Sequence, residues 1–526
     1  MIVALLAGVI AIGYLLYGIA KLRGVLAGGN PPAAQPTPPP RVGAGKPGPP
    51  RRLVVAAVVG ALLVAGATGV GLFLSPGGGG SGSSRAAQDW ATAVDDVGAA
   101  SELWRTVQAS APNAQPVRDH WVTDTHLVRR LPGRVAAYDL GTGEVAWEVP
   151  LAGEPSDRCP SSQQQSGNRV ALLRMTGGDE DNCGTITVID IGAGKEVYTT
   201  DLPHIGREGV TSTDVPVVIG EFVLVGSKAG GHLLNIDTGR HTHVSDDGRC
   251  REDAYAVFGE QVLARVTCRQ RPGSDPALSG LRAYDKELEE QWTWKAPEEA
   301  AGKPLVIRNV LSADPLVVEV YRESNDTVET LRADPGSGRS VTVLSRQRSL
   351  RDGNAYLEPC DERGIAHCQQ AMVVDDKLIL TTVPQQMNPD APGAYSGMTS
   401  TEFRNELVAL DLGTGQEVWR TGVVDGRATH LVPTTDGSIA AYQSANPNDV
   451  PGLLLSVDPA TGAVAPLLPI GAESHEDEEL TDHVRSGIFG ADNQQAVWTG
   501  GRLVIFRTLY YDSNSGKAEM VAFGRP

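Results

Sequence analysis

The eleven residues AYDLGTGEVAW, Ala137 to Trp147, return as ALDLGTGQEVW at Ala409 to Trp419. Worn copies lie between and after them, each marked by an aspartate: Asp139, Asp190, Asp237, Asp285, Asp334, Asp411 and Asp458. The successive intervals are 51, 47, 48, 49, 77 and 47 residues, so five of the six fall near fifty. A fixed period of that length marks a repeat architecture, and four short strands fill it.

Each copy has the same physical content. An alternating apolar run, such as Arg134 to Tyr138 or Glu406 to Leu410, predicts a half-buried strand. Asp-x-x-Thr-Gly follows as a tight turn, and a second run ending in an aromatic returns as the other arm of a hairpin. The aspartate accepts hydrogen bonds from turn amides, while Gly143, Gly194, Gly338, Gly415 and Gly462 supply the positive φ that other residues resist. Two more apolar runs precede most hairpins, for example Val215 to Ile219 with Phe222 to Val225, and Ala371 to Val374 with Leu378 to Thr382. Four strands per unit make a propeller blade, so the expected fold is all-β.

The ends of the chain predict how the ring closes. After Asp458, the segments Gly487 to Phe489, Arg502 to Thr508 and Glu519 to Phe523 offer three strands of a last blade. The fourth is expected from the other terminus, because Glu102 to Thr106 (ELWRT) matches Glu417 to Thr421 (EVWRT), the outer strand of a complete unit. Such a staple removes an exposed edge. The count is then eight blades, with seven as the alternative because the units around Asp285 and Asp334 are degenerate.

The strand, Asp-x-x-Thr-Gly, strand, Trp phrase resembles the pyrroloquinoline-quinone-like (quinoprotein-type) propeller repeat. The resemblance spans about residues 100 to 526, and the Ala-, Gly-, Val-, Arg- and Pro-rich composition resembles that of high-GC actinobacterial proteins. It implies that tryptophans dock between neighbouring blades. Trp104, Trp147 and Trp419 match that position, Tyr198 replaces it in one unit, and Trp292 occupies it in another. Quinone-dependent members hold their cofactor over the central channel with an adjacent-cysteine disulfide, a calcium site and a catalytic aspartate. No two cysteines are adjacent here. Nor does the chain carry a GxSxG elbow, an HExxH helix or a phosphate-cradling glycine loop. No catalytic, cofactor-binding or metal-ligating residue is therefore expected. A quinone-dependent dehydrogenase of alcohols or sugars is the alternative function.

Six cysteines form three local couples: Cys159 with Cys183, Cys250 with Cys268, and Cys360 with Cys368. Each couple lies within one expected blade or its flanking loop, so three disulfides are expected, and with them an oxidising compartment. Zinc is the competing reading, and no couple has the spacing for it.

The first residues predict an anchor. Ile2 to Ala20 is an apolar run of 19 residues and Leu53 to Leu74 one of 22, each long enough to span a bilayer. Residues 1–22 and 53–75 are expected as transmembrane helices, with a Pro-rich basic cytoplasmic loop at 23–52, a flexible tether at 76–100 and the propeller at 101–526. Lys21, Arg23, Arg41, Lys46, Arg51 and Arg52 lie between the runs without an acidic residue. The positive-inside rule then places the propeller outside the cytoplasm. A cleaved signal peptide is the alternative for the first run, which lacks a basic n-region. Residues 86–526 carry 38 basic against 63 acidic side chains, a net of −25 that repels nucleic acid.

The 77-residue interval holds about 28 residues beyond a normal unit, in the Cys360 to Cys368 loop and the insertion Pro384 to Glu402. Inserted loops on a repeat scaffold carry binding, so Gln385, Gln386, Met387, Tyr395 and Met398 are candidate partner contacts. The acidic run His475 to Glu479 with Asp482 and His483, and Asp512-x-Asn514-x-Gly516, are read as a solvated loop and a hairpin turn. The expected protein is a membrane-tethered, extracytoplasmic propeller, a noncatalytic binding or scaffold module with a cell-envelope protein as partner.

Overall fold

The computed structural model describes residues 93–525, apart from single positions and loop segments, chiefly 108–114, 152–158, 176–182, 204–209, 244–249, 270–275, 298–304, 348–355, 387–402, 444–451, 471–493 and 511–517. The expected segments 1–22, 23–52 and 53–75 lie outside the described residues. Among those described, no helix is long and apolar enough to cross a membrane.

Eight sheets succeed one another along the chain. Blades 1 to 7 occupy residues 120–150, 161–201, 216–243, 250–295, 306–347, 371–420 and 429–470. Blade 8 joins both ends of the described chain: Gln494–Thr499, Arg502–Arg507 and Ala518–Gly524 pair in that order, and Ser101–Val107 adds the fourth strand against Ala518–Gly524. The N-terminal staple thus exists, and the ring has eight blades. Its innermost strand differs from expectation: Gln494–Thr499 fills that place, turned into the next strand by Gly500 and Gly501, and residues 487–489 lie outside the described residues. Blade 2 departs as well, with three strands and a one-residue bridge from Ser161 to Leu172 in place of the innermost.

Burial explains the unbroken apolar run in the third strand of blade 1. Arg134–Asp139 buries Val135, Ala136, Ala137 and Tyr138 in succession, so it is covered on both faces and not half-buried as its alternation suggested. A sheet sandwiched between two others has no solvent face to alternate against. Outer strands do alternate, as in Val145–Pro150, where Val149 alone is buried.

Eight hydrophobic clusters fill the eight seams. Trp121, Val128 and Val135 of blade 1 meet Val170, Leu172 and Ile189 of blade 2, and the series continues around the ring. It ends where Val504, Phe506 and Met520 of blade 8 meet Leu127, Ala136 and Tyr138 of blade 1.

At the outer rim the seams are closed by a recurring contact. A Cβ added to Gly143 would lie 2.6 Å from the Trp104 ring of the preceding blade, one on Gly194 2.5 Å from Trp147, one on Gly239 2.8 Å from Tyr198, and one on Gly462 2.5 Å from Trp419. These turn glycines have φ between +62° and +72°, a region that costs other L-residues about 1–2 kcal/mol. Each glycine therefore meets two demands, backbone conformation and the space for an indole or phenol. Indole nitrogens complete the dock: Trp104 Nε1 donates to the Leu140 carbonyl at 2.9 Å and Trp419 Nε1 to that of Pro459 at 3.0 Å.

Gly462→Ala should destabilise the ring by about 2–5 kcal/mol, combining left-handed strain with overpacking against Trp419. Gly437→Ala, at φ +74° with nothing within 4 Å of the added methyl, should cost only about 1–2 kcal/mol. Urea midpoints of the two variants measure the difference, and equal shifts would mean that the glycine–tryptophan contact contributes nothing.

Candidate functional site

Antiparallel alternation sorts the links of every blade into two sets. Links between first and second strands, and between third and fourth, fall at one end, the turn side. Links between second and third strands, and the connections to the next blade, fall at the other, the loop side.

The repeat aspartates are engaged on the turn side. Asp139 Oδ1 accepts the amides of Gly141 at 2.8 Å and Thr142 at 2.9 Å, and Asp411 accepts those of Gly413 and Thr414 at 3.0 and 2.8 Å. Asp334, Asp458 and Asp190 cap their turns in the same manner. The Thr142 amide bond holds the Asp139 carboxyl below its usual range, and hydroxyl bonds from Ser337 and Thr414 do the same for Asp334 and Asp411. In blade 3 the cap is Asn235, whose Oδ1 accepts the amides of Asp237 and Thr238. Asp237 itself reaches toward Arg169 at 3.4 Å. The expected marker was two residues late there, because an amide oxygen caps as well as a carboxylate. In blade 4, Asp285 caps a turn whose left-handed position is Leu288, φ 64°.

The aromatic positions divide. Trp104, Trp147, Tyr198 and Trp419 lie on turn glycines of the next blade, whereas Trp292 packs against the cluster between blades 4 and 5 without reaching Gly338, beside which a Cβ would meet nothing within 4 Å. The missed residue is Trp294, two positions on and 1% exposed, which fills the seam core between blades 4 and 5. An open groove of about 800 Å³ lies where the dock is missing, lined by Trp292, Pro315, Arg332, Asp334, Arg339 and Val341 among others.

All three disulfides form: Cys159–Cys183, Cys250–Cys268 and Cys360–Cys368. By strand order each lies toward the loop side, the first joining a connection to a second-to-third loop of blade 2. Cys360–Cys368 closes a loop in the connection that leads into blade 6.

The blade 6 insertion also rises on the loop side. Gln385–Gln386 pairs with Phe403–Arg404 as a two-stranded ribbon, while Met387, Tyr395 and Met398 lie outside the described residues, as do His475 to His483 and Asp512 to Gly516. The ribbon's base is fixed from both blades. Glu406 donates its amide to Thr382 Oγ1 at 2.9 Å, and buried Asn405 donates to the Thr382 carbonyl at 3.3 Å while accepting the Thr429 amide of blade 7 at 2.6 Å. Asn405 carries no signal in the sequence, since a single asparagine before a strand is unremarkable.

Buried charge is paired. Arg129 of blade 1 meets Glu519 of blade 8 at 3.1 Å, with its guanidinium 4.8 Å from the Phe506 ring centre. Glu319, fully buried, receives Arg346 at 3.0 Å and Asn309 at 2.8 Å. Glu252 accepts Tyr255, Arg282 and Tyr284 together, and burial raises both phenols. These carboxylates are occupied by fixed partners.

The adjacent-cysteine disulfide of quinone-dependent members is missing here. The cysteines are spent in bridges 24, 18 and 8 residues apart, so no adjacent-cysteine ring exists. Among the described residues, no group of three or more His, Cys, Asp or Glu side chains could hold a metal.

Ring, caps and seams define an eight-bladed β-propeller, four-stranded in every blade but blade 2, where a one-residue bridge stands for the innermost strand. Residues 83–240 match the family described as outer membrane protein assembly factor BamB, and over that stretch the repeat is of the pyrroloquinoline-quinone-like type. No curated protein matches the chain. Among solved structures it is similar to the quinohemoprotein alcohol dehydrogenase ADHIIG of Pseudomonas putida HK5, at 11% identity and TM-score 0.41 over 81% of this chain and 76% of that one. It is also similar to Kluyveromyces lactis Hsv2, at 8% identity and TM-score 0.34 over 65% and 93% of the two chains. A third is Porphyromonas gingivalis dipeptidyl peptidase 4, at 10% identity and TM-score 0.34 over 71% and 61%. Likenesses at these scores carry no argument about activity.

Buried His430, on the first strand of blade 7, has its pKa lowered by burial to about 3. Its folded value lies below the unfolded one, so the stability it contributes is intact above about pH 6.5 and is lost as pH falls toward 3. Between pH 6.5 and 5, unfolding free energy should fall by up to about 1.4 kcal/mol per pH unit from this group. His430→Leu should flatten that slope in urea titrations, and an unchanged slope would mean that His430 is charged in the folded protein.

Proposed function

We propose that this propeller is a noncatalytic binding platform at the cell envelope, tethered by its N-terminal segments to the membrane with the ring outside the cytoplasm. The observation that carries the reading is the blade 6 ribbon, an insertion in a loop-side link whose base Asn405 ties to blade 7. A recognition loop on a rigid scaffold loses less conformational entropy on binding than a free one. Three disulfides support an oxidising compartment. The assembly-factor family matched by residues 83–240 supports an envelope protein as the partner. The chain reaches the ring at Ser101, paired with Gly524 at the turn-side end of blade 8, which leaves the loop side for the partner. Among the described residues, Asp139, Asp190, Asp334, Asp411 and Asp458 are engaged in turn caps and the six cysteines in bridges.

A photo-crosslinking residue at exposed position 404, in cells, should yield a defined adduct with one envelope protein. Replacing residues 387–402 by Asn-Gly should abolish the adduct while leaving the melting temperature within about 2 °C, as expected for a surface-loop change. An adduct that survives the shortening, or none in either chain, would refute the ribbon as the contact. Dye reduction with an alcohol, dependent on added pyrroloquinoline quinone and calcium, would instead establish the dehydrogenase.

A further inference from the structure

A histidine pair stands in blade 3, outside everything used above. His232 lies on the third strand, Gly230–Asn235, and is 2% exposed; His241 opens the fourth, His241–His243, and is half-buried. His232 Nδ1 is 3.2 Å from His241 Nε2, with ring centres 5.4 Å apart. The backbone ladder sets His241 opposite Leu234, and residue 243, also a histidine, opposite His232. Positions two apart share a face, as do directly paired positions, so 232 and 241 fall on one face of the blade. It is the face turned toward blade 2, where Leu234 packs in one cluster with Ile186 and Val188.

We propose that His232 and His241 are ligands of a divalent transition-metal ion of the zinc, nickel and copper class. Two imidazole nitrogens each about 2.0–2.1 Å from a tetrahedral zinc stand roughly 3.3 Å apart, and the pair is already at 3.2 Å. Imidazole suits these borderline ions, whereas calcium and magnesium take oxygen ligands. The domain's net charge of −25 draws cations toward the surface on which the half-buried His241 opens.

The location supplies a use. The fourth strand of blade 3 spans three residues, the shortest outer strand among those described, and three cross-strand pairs hold it. An ion with one histidine from each strand ties that short strand to the blade. Binding to the folded chain alone then stabilises it by mass action. The site is independent of the partner contact at blade 6.

The test uses the full chain, free of any polyhistidine tag and stripped with a chelator. Zinc, nickel and copper chlorides are titrated separately by calorimetry, with calcium chloride as the hard-ion control. One ion per chain and a raised melting temperature are expected for the first three, and neither for calcium. The copper(II) resonance spectrum of the unaltered chain should carry coupling from at least two imidazole nitrogens, and fewer than two sinks the site whatever the variants do. His241→Ala, at the more exposed position, should weaken binding at least tenfold while leaving the ion-free melting temperature unchanged. His232→Gln should weaken it similarly. Undiminished binding in both variants, equal binding of calcium, or no binding of the three ions overturns the proposal.

Discussion

The contact between an outer-strand aromatic and the left-handed glycine of the next blade's turn sets the geometry on which the ring depends. Apolar packing holds the inner parts of neighbouring blades together, but it is non-directional and tolerates rotation of one sheet over another. Trp104 over Gly143, and Trp419 over Gly462, fix the angle, because a planar ring must lie flat on a backbone that has no Cβ. Where the contact is altered, the seam is altered with it. Val343 presents its carbonyl to Gly415 in the seam between blades 5 and 6, and the rim between blades 4 and 5 opens into a groove beside Trp292.

Closure is the second demand, since a propeller without it leaves one edge unpaired and one seam unfilled. The chain meets both at the same seam. Ser101–Val107 completes the sheet of blade 8, and Trp104 on that strand docks on blade 1. Arg129 and Glu519 then cross the seam as a buried pair. Removing two charges from water costs several kcal/mol per ion, so such a pair is weak evidence of added stability. What it does enforce is register, because a misplaced blade 1 would leave either charge buried alone.

The fold was legible wherever local chemistry is repeated. The turn motif, the period and the shared ELWRT and EVWRT phrases announced blades and staple together, since capping and docking require the same few residue types each time. Legibility failed where a different residue does the same work. Asn235 caps in place of an aspartate, Leu288 takes a glycine's conformation, and Trp294 fills a core when Trp292 loses its dock. It failed also for the innermost strand of blade 8, because Gln494 and Gln495 disguise a strand whose apolar half is Ala496 to Trp498. The site was less legible than the fold. The insertion was visible as excess length, whereas Asn405 and the His232–His241 pair depend on register, which brings together residues that mean nothing in sequence.

The docking contact also explains where variation is permitted. A third-to-fourth turn that must present its glycine to the preceding blade cannot lengthen without losing the contact, and first-to-second turns at the same end are likewise short. No turn-side link between described strands exceeds seven residues. Loop-side links face no such demand, and they hold the ribbon, the Cys360–Cys368 loop and the 23-residue connection between Ile470 and Gln494. Insertion costs little there, because loop-closure entropy grows only slowly with length. The disulfides toward that end then limit the freedom of the very links that the architecture leaves unconstrained. A ring held by its turn side is therefore free to diversify on the opposite side, and the partner surface proposed above falls at that end for the same physical reason that the turn motif repeats at the other.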